Sequence, residues 1–359
     1  MKFFLKHLTL LYMVVGLVLI PFESEAAGKK HRKSTTVSSV KHKASAKSKS
    51  ARYKTQRVTK YKSSRINAKL RKSTAINQAY AADDYDGISP LNLASAKALV
   101  INQNTNEIIY AKNTNAPTPI ASVTKLMTAM VILDSGVSLH EEVTVTNADV
   151  DYLKGTSSRL PIGTRLTRDE LINLALIASE NRAASALATT YPGGRAQFIR
   201  EMNQKALSLG MVNTHFSDST GLDSSNVSTA EDLAKMVNAA YQYDVIRNAS
   251  TTSSYDVYVS NRPAHFNNTN SLVRNSDWVI GLSKTGFINE AGRCLVMQAQ
   301  LAGEPVIIVL LDSYGKYSRI GDANRVRKWV EHNTDPKSPQ DLDAVPITLG
   351  QMDTSAQLN

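Results

Sequence analysis

One cysteine in 359 residues, Cys294, rules out any intrachain disulfide and leaves no second thiol for redox chemistry. It lies in Arg293-Cys-Leu-Val-Met-Gln-Ala299, which reads as a strand, so a small buried core residue is expected there. Histidine is scarce as well. Past residue 73 only His140, His215, His265 and His332 remain, and none has metal-ligand spacing to another histidine, cysteine or carboxylate. No metal and no other cofactor is expected. A Gly-x-Ser-x-Gly elbow is missing, which leaves His215 without the setting of a serine-hydrolase base. Internal repeats are absent. Long apolar runs are absent too, apart from Leu8–Ile20, which is short for a membrane span. Acidic residues are missing altogether from residues 28–73, which hold 17 Lys and Arg among Ser, Thr and Ala.

These gaps divide the chain. Residues 1–26 have the form of a signal peptide: basic Lys2 and Lys6, the apolar run, then Ser24-Glu-Ala26 with small residues where signal peptidase cuts. A transmembrane anchor is the alternative, but the run is short and a cleavage site follows it. Export to the periplasm is the expectation. Residues 27–92 are a basic tail and lead-in. Without a sustained apolar period they cannot bury a core, and they are expected to be disordered. The formal charge of +11 is misleading as an average, because residues 74–359 carry 23 basic and 29 acidic residues, a net of −6. Behind an export signal, nucleic acid is not the expected partner of such a tail. The candidates are anionic envelope surfaces, namely lipid head groups, lipopolysaccharide and peptidoglycan carboxylates, or the tail is a solvated spacer.

Three short pieces stand in order in the remainder: Ser122-Val-Thr-Lys125, Ser179-Glu-Asn181 and Lys284-Thr-Gly286. Taken singly each has a bland reading, as a helix N-cap with a solvated lysine, a helix interruption, and a strand running into a turn. Ser-x-x-Lys occurs three times, from Ser38, Ser122 and Ser313. Only the Ser122 copy has Ser-x-Asn 57 residues on and Lys-Thr-Gly 105 residues after that. It alone opens a convincing helix, with Pro119 before, Gly136 after, and Val123, Leu126, Met127, Met130 and Val131 on a buried face. The chemistry accounts for the residue types. A serine hydroxyl needs an adjacent base, and residues three apart on a helix share a face. A lysine serves as that base only if its ammonium form is disfavoured, by desolvation or by a second cation such as Lys284. The helix N-terminus adds backbone N–H groups where an oxyanion would form.

The chain resembles the low-molecular-mass penicillin-binding proteins of the D-alanyl-D-alanine carboxypeptidase/endopeptidase family, and the endopeptidase subgroup most. The resemblance runs from about Leu93 to His332. It includes Pro119–Met130, Ala178–Ala184, Tyr191-Pro-Gly-Gly194, Ser219-Thr-Gly-Leu222, Ser228-Thr-Ala230, Asn268-Thr-Asn270 and Thr285-Gly-Phe287 with Ala291-Gly-Arg-Cys294. It implies that Ser122 is the nucleophile, Lys125 its base, Ser179 a proton relay, and Asn181 the residue orienting Lys125 and the substrate amide. Lys284 and Thr285 would hold a substrate or penicillin carboxylate. Gly286 would let the substrate backbone come close, and the backbone N–H groups of Ser122 and Phe287 would form the oxyanion hole. The implied substrates are peptidoglycan peptides, with β-lactams as covalent inhibitors. A DD-endopeptidase cutting D-Ala–diaminopimelate cross-bridges is the first expectation, and a D-Ala-D-Ala carboxypeptidase the alternative. A β-lactamase is disfavoured by the lack of a Glu-x-x-Leu-Asn motif, and a non-catalytic peptidoglycan-binding module by the intact nucleophile and base.

Patterning predicts strands at Ala96–Ile101 and Glu107–Lys112 around an Asn102–Asn106 turn, then short strand pieces near Val143–Val145 and Thr164–Thr167. Helices are predicted over Arg168–Ile177, Arg182–Thr190, Gly194–Ser208, Ala230–Tyr243 and Tyr317–His332. Strands are expected at Val279–Thr285, Arg293–Ala299 and Pro305–Leu311. Strands at both ends with helices between suggest an α/β domain over 93–332, in which a mixed sheet and a helical cluster flank the site, as in the penicillin-binding-protein/β-lactamase fold. Residues 333–359 are a polar C-terminal tail, too short for the all-β domain of larger family members.

Overall fold

A computed structural model describes residues 91–334. The signal peptide, the basic segment up to residue 90 and the C-terminal residues from 335 lie outside the described residues.

The chain enters as β1 (Ser95–Asn102) and turns through Asn106, at φ 60°, into β2 (Ile108–Lys112). A 3₁₀ turn over Ala121–Thr124 runs directly into α1 (Lys125–Asp134). There follow α2 (Arg168–Ile177), α3 (Asn181–Thr189), α4 (Gly194–Ser208), α5 (Ala230–Ala240) and α6 (Asp244–Thr251). A hairpin of β3 (Ser254–Val259) and β4 (Arg262–Asn267) leads to the long strands β5 (Val279–Ile288), β6 (Gly292–Leu301) and β7 (Glu304–Ser313), and α7 (Ser318–Thr334) closes the domain.

The strands order as β2-β1-β7-β6-β5, with β5 at one edge. The α/β class and the helical cluster stand, but the sheet itself is not mixed: all four pairings are antiparallel. The connections decide this. β6 and β7 join through Ala302 and Gly303, at φ 50° and 80°, and such two-residue turns with both φ positive return the chain antiparallel. The run Val306–Leu311 reads as an interior strand because both sheet faces are covered. Ile307, Val309 and Leu311 pack with the helical cluster, while Val306, Ile308 and Leu310 pack with Ile320, Ala323, Val326 and Val330 of α7.

Two elements escape the sequence pattern. The helix expected over Ala230–Tyr243 ends at Ala240, and α6 begins at Asp244. The β3–β4 hairpin turns on Ser260 and Asn261, at φ 49° and 62°, without glycine or proline to mark it. By contrast α2 keeps its expected bounds. Thr167 and Glu170 form a reciprocal capping box at its start.

Candidate active site

The 3₁₀ turn aligns the first motif. At three residues per turn, i and i+3 eclipse, so Lys125 stands over Ser122, with Nζ 2.8 Å from the hydroxyl Oγ. Lys125 is fully buried, and Nζ donates to Asn181 Oδ1 at 2.8 Å and to the Thr220 carbonyl at 2.6 Å. Both of these partners are pure acceptors. A neutral amine has two N–H bonds and one lone pair, so donating both leaves the lone pair for the Ser122 hydroxyl proton. Burial lowers the Lys125 pKa to about 7, against the opposing pull of the Asp218 and Glu180 carboxylates. Desolvation is thus the chief cause. Lys284 feels the cation–cation repulsion more plainly: burial, Lys125 and Arg319 all hold it well below the ordinary lysine range.

The turn carrying Ser122 is held from two sides. Ala121 sits at φ 49°, a conformation costly for an L residue. A Cβ on Gly221 (φ 80°) would come 1.9 Å from the Ala121 carbonyl oxygen. A Cβ on Gly286 would meet the Ile120 carbonyl oxygen at 2.8 Å and the Ser122 nitrogen at 3.2 Å. The expectation for Gly286 is therefore corrected. Its missing side chain lets β5 close onto the nucleophile turn, and the atoms a Cβ would strike are the protein's own.

Ser179 connects α2 to α3 at φ 59°, and its Oγ accepts from Lys284 Nζ at 2.9 Å. Lys284 also donates to the Thr285 carbonyl, and the hydroxyl of Thr285 donates to Thr269 Oγ1 at 2.6 Å. Ser122, Ser179, Asn181, Thr285, Gly286 and Phe287 line one cleft of about 470 Å³, with Lys125 and Lys284 buried behind its wall. Phe287 is half-exposed on the rim.

The structure adds residues that the motifs did not name. Asn181 Nδ2 donates to Thr156 Oγ1, and Thr156 Oγ1 donates to Asp151 Oδ2 at 2.7 Å. Asp151 also accepts from the backbone N–H groups of Leu153, Lys154 and Thr156, which hold its pKa down despite burial. This folded loop fixes the Asn181 amide with its oxygen towards Lys125. Thr220 supplies the second acceptor for Lys125, from the segment Ser219-Thr-Gly-Leu222. Arg319, in the first turn of α7, brings a third cation to the cleft wall. Only Ser219-Thr-Gly-Leu222 had a visible sequence signal, and that was resemblance rather than spacing. Cys294 is buried as expected, and burial raises its thiol pKa to about 11.

Fold and cleft together are those of the penicillin-binding serine peptidases. The chain superposes on the crystal structure of the Streptomyces K15 DD-transpeptidase with a TM-score of 0.63 at 30% identity, covering 67% of this chain and 98% of that one. The chain belongs to the D-alanyl-D-alanine carboxypeptidase family of peptidases, whose family model matches residues 84–315. Among its relatives are the D-alanyl-D-alanine endopeptidases of Pseudomonas aeruginosa and Escherichia coli. Each is 46% identical over 67% of this chain and 78% of its own length.

Proposed function

We propose that this protein is a serine DD-endopeptidase that hydrolyses D-Ala–diaminopimelate cross-bridges of peptidoglycan. The observation that carries the chemistry is a buried lysine near neutrality, with two acceptors taking its N–H groups and the Ser122 hydroxyl 2.8 Å away. In the first step Ser122 Oγ attacks the D-Ala carbonyl while its proton passes to Lys125 Nζ. Collapse of the tetrahedral adduct expels the acceptor amine, which takes a proton through Ser179. Water then attacks the ester, regenerating Ser122. Backbone N–H groups of Ser122 and Phe287 are the oxyanion donors in this reading. Lys284 and Thr285 hold the carboxylate beside the scissile amide. An arriving anion supplies the counter-charge that burial and two neighbouring cations deny Lys284.

The endopeptidase choice is supported by the names of the relatives that are 46% identical. Digestion of cross-linked muropeptides tests it: dimers fall to monomers faster than pentapeptide monomers lose D-Ala. Prompt D-Ala release with intact dimers would make the protein a carboxypeptidase. In either case a labelled penicillin attaches to Ser122 and not to a folded Ser122→Ala variant. The mature protein works in the periplasm in this reading, with residues 28–73 holding it to anionic envelope surfaces through 17 positive charges.

A further inference from the structure

Two guanidinium groups meet at one end of the cleft with no carboxylate paired to either. Arg319 lines the cleft beside Thr285, Gly286 and Phe287. Its Nη1 reaches the Gly286 carbonyl only at 3.4 Å, and its Nε is buried without an acceptor. Arg293 lies across the ladder from Phe287, and its guanidinium stacks on that ring at 4.3 Å. Among the described residues the ion pairs include neither arginine. Burial and the neighbouring charge of Arg293 lower Arg319 to about 10. Two like charges without a counter-ion disfavour each other, and a carboxylate between them would relieve both.

We propose that Arg293 and Arg319 form a second carboxylate subsite, on the leaving-group side, which recognises the distal carboxylate of a cross-linked acceptor peptide. The inference rests on the endopeptidase reading and says what that reading requires of this wall. A terminal D-Ala leaving group carries one carboxylate. A diaminopimelyl acceptor carries one beside the scissile amide and another at the end of its own stem. Lys284 and Thr285 take the first. The second needs a cation further along the same wall, where Arg319 follows Gly286 and Arg293 flanks Phe287. Stacking on Phe287 limits the Arg293 rotamers, and a planar guanidinium matches a carboxylate fork.

The test compares a cross-linked muropeptide dimer with the same dimer amidated at the acceptor-stem terminus. For the unaltered enzyme, amidation should lower kcat/KM about tenfold, chiefly through KM, as loss of a charge-assisted contact does. Arg293→Gln should lose the same factor on the free dimer and nothing further on the amidated one. Arg293→Lys should recover part of the loss. The ratio of dimer cleavage to penicillin acylation should fall in step, since penicillin carries one carboxylate. Equal losses on both dimers would assign Arg293 a structural role and overturn the proposal. Equal cleavage of both dimers by the unaltered enzyme would overturn it without any variant, while leaving the endopeptidase reading intact. Failure to cut either dimer, with ready D-Ala release from pentapeptide, would remove the endopeptidase reading and this inference with it.

Discussion

Acylation of Ser122 should rise with pH through a midpoint set by Lys125. Burial lowers this lysine from 10.5 to about 7, and a shift of that size corresponds to roughly 5 kcal/mol between its two protonation states. The neutral form is the competent one, so below the midpoint the rate should fall tenfold per pH unit. At pH 5 only ~1 % of the lysine is neutral, which puts acylation about a hundredfold below its plateau. An unburied lysine would still be climbing at pH 9 to 10. The assay is the second-order rate of labelled-penicillin attachment to the full-length protein between pH 5 and 9, which reports groups of the free enzyme. Glu180→Gln sharpens the test. Its carboxylate raises the Lys125 pKa, so the variant's midpoint should move to lower pH. A rate flat from pH 5 to 8, or a midpoint near 10, would refute Lys125 as the base.

The same burial costs stability, and Lys125→Met should expose this by abolishing acylation while raising the denaturant midpoint at pH 7. For the parent protein this lysine binds fewer protons folded than unfolded between about pH 7 and 10.5. Its contribution to stability therefore improves as pH rises across that window, and the variant should lose that part of the slope. Gly221→Ala should cost more than about 3 kcal/mol, because it adds left-handed strain to a clash with the Ala121 carbonyl. A native urea midpoint with normal Ser122 labelling would contradict that account. Deleting residues 28–73 should leave the penicillin acylation rate unchanged but abolish the salt-sensitive part of binding to anionic sacculi or vesicles. Equal binding by the truncated protein at low salt would make the tail a spacer.

The nucleophile, its base and the carboxylate-holding strand were legible because their chemistry fixes residue type and order. Ser122, Lys125, Ser179, Asn181, Lys284 and Thr285 converge as their motifs imply. What the motifs could not convey was support from residues far along the chain. Thr156, Thr220, Thr269 and Arg319 work through hydroxyls, a carbonyl and a guanidinium that any loop or helix start contains. Regular elements were legible where caps and periods agree, as at Thr167 and Glu170. They were lost where local signals are weak. Asp244–Thr251 ends in Asn-Ala-Ser-Thr, poor helix formers, and is held instead by tertiary contacts such as the Ser283 N–H donating to Ser250 Oγ. Strand direction failed for a different reason. Burial on both faces erases the alternation that marks an antiparallel strand.

β1 cannot enter the sheet before β7 exists. Ser95 pairs with Ser313 and Lys97 with Leu311, so the first described strand waits for the last. Lys284 likewise reaches Ser179 across 105 residues. A chain still being synthesised or threaded has Ser122 and Lys125 in hand but neither the strand that closes over them nor the helix that seals the sheet. Such non-local pairing makes folding late and slow. It also means that a peptidase able to open the wall stays inert along its whole route, and acquires its activity only when the last hundred residues arrive.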